Sequence, residues 1–123
     1  MDKNGMIPLQ NHMDFEAMLR PRRPTEDGFD GKYAPWVAVC FSATWCGPCK
    51  RLDKSSLVKM TPGIRWYAVD IDQNDTTLSY CGLQGVPAFV LLKDGDFIGR
   101  KTGAGSVGEL LEWLSDLGAP VAH

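Results

Sequence analysis

Residues 36–50 read Trp36-Val-Ala-Val-Cys-Phe41-Ser-Ala-Thr-Trp45-Cys46-Gly-Pro-Cys49-Lys50, an apolar run that passes directly into two closely spaced cysteines. The stretch over 36–41 is rich in β-formers and has no polar alternation, as a buried central strand does. A helix is predicted to begin near Cys46–Pro48, because proline is favoured in a first helical turn and residues 50–60 contain no breaker. Pro62-Gly63 ends it.

Outward from this core, residues 64–71 read as the next strand and 75–81 as a short helix. Residues 88–92 and 97–101 flank Lys93-Asp94-Gly95-Asp96, a hairpin signal. Ser106 with Glu109 makes a capping box, and Val107, Leu110, Leu111 and Leu114 form the apolar stripe of a final helix. Toward the N-terminus, Asn11 followed by Asp14, with Phe15, Met18 and Leu19 at helical spacing, reads as a short capped helix. Residues 21–31, dense in proline, glycine and charge, read as a loop. The order β-α-β-α-β-α-β-β-α predicts an α/β fold with a central mixed sheet of about five strands and helices on both faces. That sheet should be parallel at first and closed by an antiparallel hairpin. Without repeats or low-complexity tracts, residues 1–123 are expected to form a single domain.

Thirteen basic against fifteen acidic residues leave a formal net charge of −2, which points to neither a nucleic-acid nor a membrane partner. The Arg20-Pro-Arg-Arg23 cluster is followed closely by Glu26, Asp27 and Asp30 and reads as a solvated loop. No apolar run approaches the ~18 residues needed to span a bilayer, and residues 1–6 do not resemble a secretory signal. A reducing compartment is expected, the cytoplasm, and a monomer. Four cysteines in such a chain suggest redox or metal chemistry rather than a structural disulfide framework.

The Cys-x-x-Cys spacing at a helix start lets two sulfurs lie within bonding reach while only the first faces solvent. Cys46 would sit where unpaired backbone N–H groups and the helix dipole stabilise an anion. Such sites lower a thiol pKa from about 8.5 to near 7. A Cys46 thiolate could attack a disulfide, and Cys49 would resolve the mixed disulfide. The competing role for such a pair is half a zinc site. The second half is missing: Cys40 and Cys81 are single, and His12 and His123 lie near the termini. Gly47-Pro48 between the cysteines, following an apolar strand, favours redox chemistry. No cofactor is expected.

Phe41-Ser-Ala-Thr-Trp-Cys-Gly-Pro-Cys-Lys50 resembles the active-site segment of thioredoxins. Val69-Asp-Ile-Asp-Gln-Asn74, Gly85-Val86-Pro87 and Lys93-Asp94-Gly95 follow in the family's order. The resemblance covers residues 7–117, with a longer loop after the first helix. It implies a thioredoxin fold and reduction of protein disulfides with electrons relayed from an upstream reductase such as thioredoxin reductase. It makes Cys46 the attacking thiol and Cys49 the resolving one. The implied substrate-contacting set is Trp45, Gly47, Pro48, Val86, Pro87 and Gly103. Pro87 would be the family's cis-proline, with Val86 offering backbone groups to an extended substrate. Gly103 is either the small residue that lets a partner approach or an ordinary strand-end glycine.

The sequence also departs from the family. Cys40 stands where thioredoxins usually carry a buried aspartate, and Ala68 where its lysine partner lies. Losing both makes physical sense, since a buried charge without its partner is costly. That carboxylate is implied to help deprotonate the resolving cysteine. Asp53, four residues after Cys49, would share its helix face and is a candidate replacement, or else a solvated helix charge. Lys54 replaces a proline that normally kinks this helix, so the helix is expected to run straighter. Cys40 reads as a small buried hydrophobe, and Cys81 as packing or an extra oxidisable thiol. Trp36, Trp66 and Trp113 read as core or part-buried aromatics.

A general disulfide reductase is the leading expectation. Gly47-Pro48 favours a potential near the general thioredoxin value of about −270 mV. The alternatives are a reductant or isomerase dedicated to one partner, and a thioredoxin-fold binding subunit; retention of both cysteines and Pro87 counts against the last.

Overall fold

The computed structural model describes residues 5–19, 35–103 and 106–122. The loop read over 21–31 and the basic cluster at 20–23 lie outside the described residues. Ten elements follow in chain order: β1 (Ile7–Pro8), α1 (His12–Glu16), β2 (Trp36–Ser42), α2 (Gly47–Arg51), α3 (Lys54–Lys59), β3 (Arg65–Asp70), α4 (Asp75–Tyr80), β4 (Ala88–Lys93), β5 (Asp96–Thr102) and α5 (Val107–Asp116). The sheet runs β1-β3-β2-β4-β5. β3 lies parallel to both β1 and β2, whereas β4 is antiparallel to β2 and to β5. The mixed α/β architecture matches the order read from the sequence, apart from one helix break.

Strand alternation builds two cores. Val37, Val39 and Phe41 of β2 point to one face, with Phe15, Tyr67, Val69, Leu78 and Val90. Ala38 and Cys40 point to the other, with Leu57, Phe89, Leu91, Leu110 and Leu114. α1 and α4 cover the first face, α3 and α5 the second. Leu110 and Leu114 of α5 are fully buried, each burial contributing about 1.5–3 kcal/mol. Trp66 is buried, and Trp36 and Trp113 are part-buried.

The caps read from the sequence are made. Asn11 Oδ1 accepts the Asp14 N–H, and Ser106 Oγ accepts the Glu109 N–H at 3.1 Å. The hairpin turns on Asp94 and Gly95, with φ of 53° and 86°. Two successive positive φ values define a tight turn whose twist matches the strands it joins, which is why Asp-Gly signals it.

The single long helix expected from Cys46 to Met60 does not form. α2 stops at Arg51, Leu52 is extended (ψ 124°), and Asp53 opens α3 as its N-cap. Asp53 Oδ1 accepts the Ser56 N–H at 3.1 Å and Oδ2 accepts the Ser56 hydroxyl at 2.7 Å. Aspartate competes with a continuing helix by offering the backbone this cap, so no proline is needed for the break. Leu52 meanwhile buries itself in the second core.

Topology brings four loops to one edge of the sheet. β2 and β3 are parallel, so Ser42 and Asp70 end together. β4 starts opposite Phe41 and pairs Ala88 with Thr102 at the end of β5. The cysteine loop, residues 71–74, Val86-Pro87 and Gly103 therefore converge.

Candidate functional site

Cys46 and Cys49 are joined as a disulfide with Cα atoms 5.3 Å apart. Cys46 is the N-cap of α2, and its Sγ accepts the Cys49 N–H at 3.2 Å. The turn leading in is closed by the Cys46 N–H donating to the Ala43 carbonyl at 3.1 Å. Pro48 fits the first turn, where its missing N–H has no intrahelical partner to lose. α2 has five residues, so the hydrogen bond at the cap, rather than a long macrodipole, is the operative interaction. A hydrogen bond to an ionised acceptor is roughly twice as strong as a neutral one. The same bond thus favours the Cys46 thiolate once the disulfide opens.

Cys46 does not stand out to solvent as the spacing predicts. It is 4% exposed and Cys49 2%. Ala43 packs with the two sulfurs, and Ile71 and Val86, from other loops of the same edge, close over them. The rim above them is open: Trp45 is 65% exposed and Pro48 is exposed. The Trp45 indole is fixed by Nε1–H donating to Asp72 Oδ1 at 3.2 Å, a contact across 27 residues that no local pattern signals. Asp72 is itself turned by its N–H donating to Asp70 Oδ1 at 3.0 Å.

Of the other residues in the implied substrate set, Val86 packs against the disulfide cluster. Pro87 follows a cis peptide bond, as the resemblance implies. The Gly103 N–H donates to the Pro87 carbonyl at 2.7 Å, which ties these two loops together. Gly103 has a φ of +79°, a conformation that side chains disfavour, and open space where a Cβ would project. Gly47 lies at the first position of α2, where a Cβ would meet the Arg51 guanidinium at 3.3 Å.

Asp53 is not on a shared helix face with Cys49, because α2 ends between them. Its carboxylate is exposed and engaged by Ser56, whose hydroxyl and N–H hold its pKa below the usual 3.8. The shared helix face that would have set it beside Cys49 as a proton acceptor does not form. The signal for the break was present in Asp53 and Ser56, at cap spacing.

Cys40 and Ala68, which stand in place of the family's charged pair, are direct partners across β2 and β3. Cys40 is fully buried and free. Burial pushes its thiol up to about 11, against the pull of the Lys54 ammonium, which keeps it protonated and inert near neutrality. Cys81 is a buried free thiol capping α4, pushed up to about 12 by burial, with Arg100 opposing. Arg100 donates to the Cys81 carbonyl at 2.9 Å, consistent with a packing role. Among the described residues, no group of three or more His, Cys, Asp or Glu side chains is placed to hold a metal. No helix among them is long and apolar enough to cross a membrane.

Fold and site together define a class: an α/β domain that carries a reversible dithiol at a helix start, beside a cis-proline loop. The family model for thioredoxin matches residues 27–116. Among curated proteins, mitochondrial thioredoxin-3 of Saccharomyces cerevisiae is 37% identical over 70 residues, 55% of each chain. The alignment thus spans about half the length of that yeast protein. A thioredoxin of Aspergillus fumigatus is 33% identical over 85 residues, covering 68% of this chain and 79% of the fungal one. The crystal structure of oxidised yeast mitochondrial thioredoxin 3 superposes with a TM-score of 0.73 at 27% identity, covering 90% of this chain and 94% of that one. The chain belongs to the thioredoxin family.

Proposed function

We propose that the protein is a thiol–disulfide oxidoreductase that reduces protein disulfides through Cys46 and Cys49. The observation that carries this is the Cys46–Cys49 disulfide whose first sulfur caps α2 and accepts the Cys49 N–H at 3.2 Å. In the dithiol form the Cys46 thiolate attacks one sulfur of a substrate disulfide, and the other substrate sulfur leaves with the electron pair. Cys49 then attacks Cys46, closing the intramolecular disulfide and releasing the second substrate thiolate. An upstream disulfide reductase, such as thioredoxin reductase, restores the dithiol.

The rim supports binding of an extended polypeptide. Trp45 and Pro48 offer exposed apolar surface beside the sulfurs. Val86 and Pro87 supply main chain on the other side, and Gly103 leaves open space next to them. Gly47 adds no side chain to the rim beside Pro48. We read the molecule as a monomer working in a reducing compartment, the cytoplasm or the mitochondrion for which the yeast relative is named.

Insulin reduction coupled to a thioredoxin reductase and its nicotinamide donor tests the activity. Catalytic turnover is expected with the intact chain and background turnover with the Cys46→Ser, Cys49→Ser double variant. Equal rates in the two would contradict the assignment.

A further inference from the structure

The break at Leu52–Asp53 has an effect on the next residue. Turning Asp53 outward as a cap turns Lys54, the first residue of α3, toward the sheet edge. Its Nζ donates to Ser42 Oγ at the end of β2, at 3.4 Å. Lys54, Ser42 and Cys49 line one open cleft of about 670 Å³, together with Ala68 and Asp70 of β3. Lys54 is only part-exposed, and its charge reaches the Cys40 thiol in the core below. A cation thus occupies the region from which the family's charged pair is missing, entering from the helix rather than from the sheet.

We propose that Lys54 is a positioning residue for the resolving step, its ammonium held at Ser42 so that it stabilises the Cys49 thiolate as that anion forms. This rests on the reductase function proposed above. The Cys49 proton leaves to water through the open cleft, and the thiolate attacks Cys46 Sγ. The Cys46–Cys49 bond forms while the bond from Cys46 to the substrate sulfur breaks. The electron pair departs on that sulfur, which takes a proton from water, so the substrate disulfide is the oxidant and nothing further is consumed.

The other charged groups facing Cys49 do not cancel this arrangement. Lys50 of α2 lines the cleft but is exposed, so solvent screens it. The Asp70 carboxylate of β3 lines it too, accepting the Asp72 N–H, and opposes the Cys49 thiolate that Lys54 favours. Cys40 of β2 stays a neutral thiol. Arg51 and Asp53 line a second groove with Cys49, but both are exposed to screening solvent and the Asp53 carboxylate is held by Ser56. Lys54 is the part-buried cation of the set, and a cation near a thiol favours its ionised form.

Stopped-flow reaction of the reduced full chain with dithiobis(nitrobenzoate) separates the steps. Attack by Cys46 releases one nitrothiobenzoate, and resolution by Cys49 releases the second. In Lys54→Met the second release is expected to slow about tenfold near neutral pH, its midpoint moving up by about one unit. The first release should stay within about twofold, and above both midpoints the variant and wild-type rates should converge. Lys54→Arg should restore most of the second phase, and Lys50→Met should move it less than Lys54→Met does.

An unchanged second phase and pH profile in Lys54→Met would overturn the role. So would equal slowing of both phases, which marks a structural effect. If the wild type releases neither nitrothiobenzoate, the reductase function itself fails and the proposal with it.

Discussion

Two short helices start seven residues apart with the same local geometry and opposite uses. α2 is capped by Cys46, whose Sγ accepts the N–H three residues on at 3.2 Å. α3 is capped by Asp53, whose Oδ1 accepts the N–H three residues on at 3.1 Å. Both caps place an anion-stabilising donor on a side chain able to carry negative charge. The surroundings separate them. The sulfur sits in an apolar pocket of Ala43, Ile71 and Val86, next to a second sulfur and under an open rim. The carboxylate sits in water, held by Ser56 and Ser55 of its own helix and facing the Lys59 charge. Capping alone makes a helix start; capping by a nucleophile at a convergent sheet edge makes a reactive centre.

Exchanging the capping atoms breaks the comparison most severely. Cys46→Ser keeps a cap but removes the nucleophile, and insulin reduction is expected to fall to the uncatalysed background. Asp53→Asn also keeps a cap and is expected to leave the same rate within about twofold, because asparagine caps as well as aspartate does. A severalfold loss of resolution in Asp53→Asn would restore this carboxylate as a proton acceptor and remove the distinction.

A smaller effect sharpens it. In the reduced protein, iodoacetamide should label Cys46 first, with a midpoint at least about one unit below the free-thiol value of about 8.5. Cys40 and Cys81 should stay unlabelled until the chain unfolds, since both are buried thiols pushed up to about 11 and about 12. Equal labelling of Cys46 and Cys49 near neutral pH would contradict stabilisation at the cap.

The smallest effect belongs to α3. Asp53→Ala should lower the melting temperature modestly at neutral pH while sparing the chemistry. The folded pKa of Asp53 is depressed, so its contribution is complete above the ordinary value of 3.8 and is lost as pH falls through the folded one. The gap in melting temperature between wild type and Asp53→Ala should therefore narrow on acidification below 3.8, read by circular dichroism. A gap that widens there would reverse the sign assigned to the cap.

The contrast also marks what local sequence could carry. The succession of strands along the chain followed from apolar runs such as 36–41, and helix starts at Asn11 and Ser106 from caps that the structure makes. The hairpin followed from Asp94-Gly95, because two positive φ values leave few other residue choices. The break at Leu52–Asp53 has no proline or glycine to mark it. What ended α2 was competition between two caps and the burial of Leu52. The covering of Cys46 was equally hidden, since Ile71 and Val86 reach it from segments 25 and 40 residues away. The contact of Lys54 with Ser42 depends on where α3 begins, and local sequence spacing does not carry it.

The central claim is that Cys46, as the capping sulfur, makes the first bond to substrate. Mass spectrometry of the full-length Cys49→Ser variant after reaction with a disulfide-containing protein tests it directly. Without the resolving thiol, the mixed disulfide should accumulate and peptide mapping should find the substrate bonded to Cys46 alone. An absent adduct, or one mapped to Cys40 or Cys81, would contradict the account.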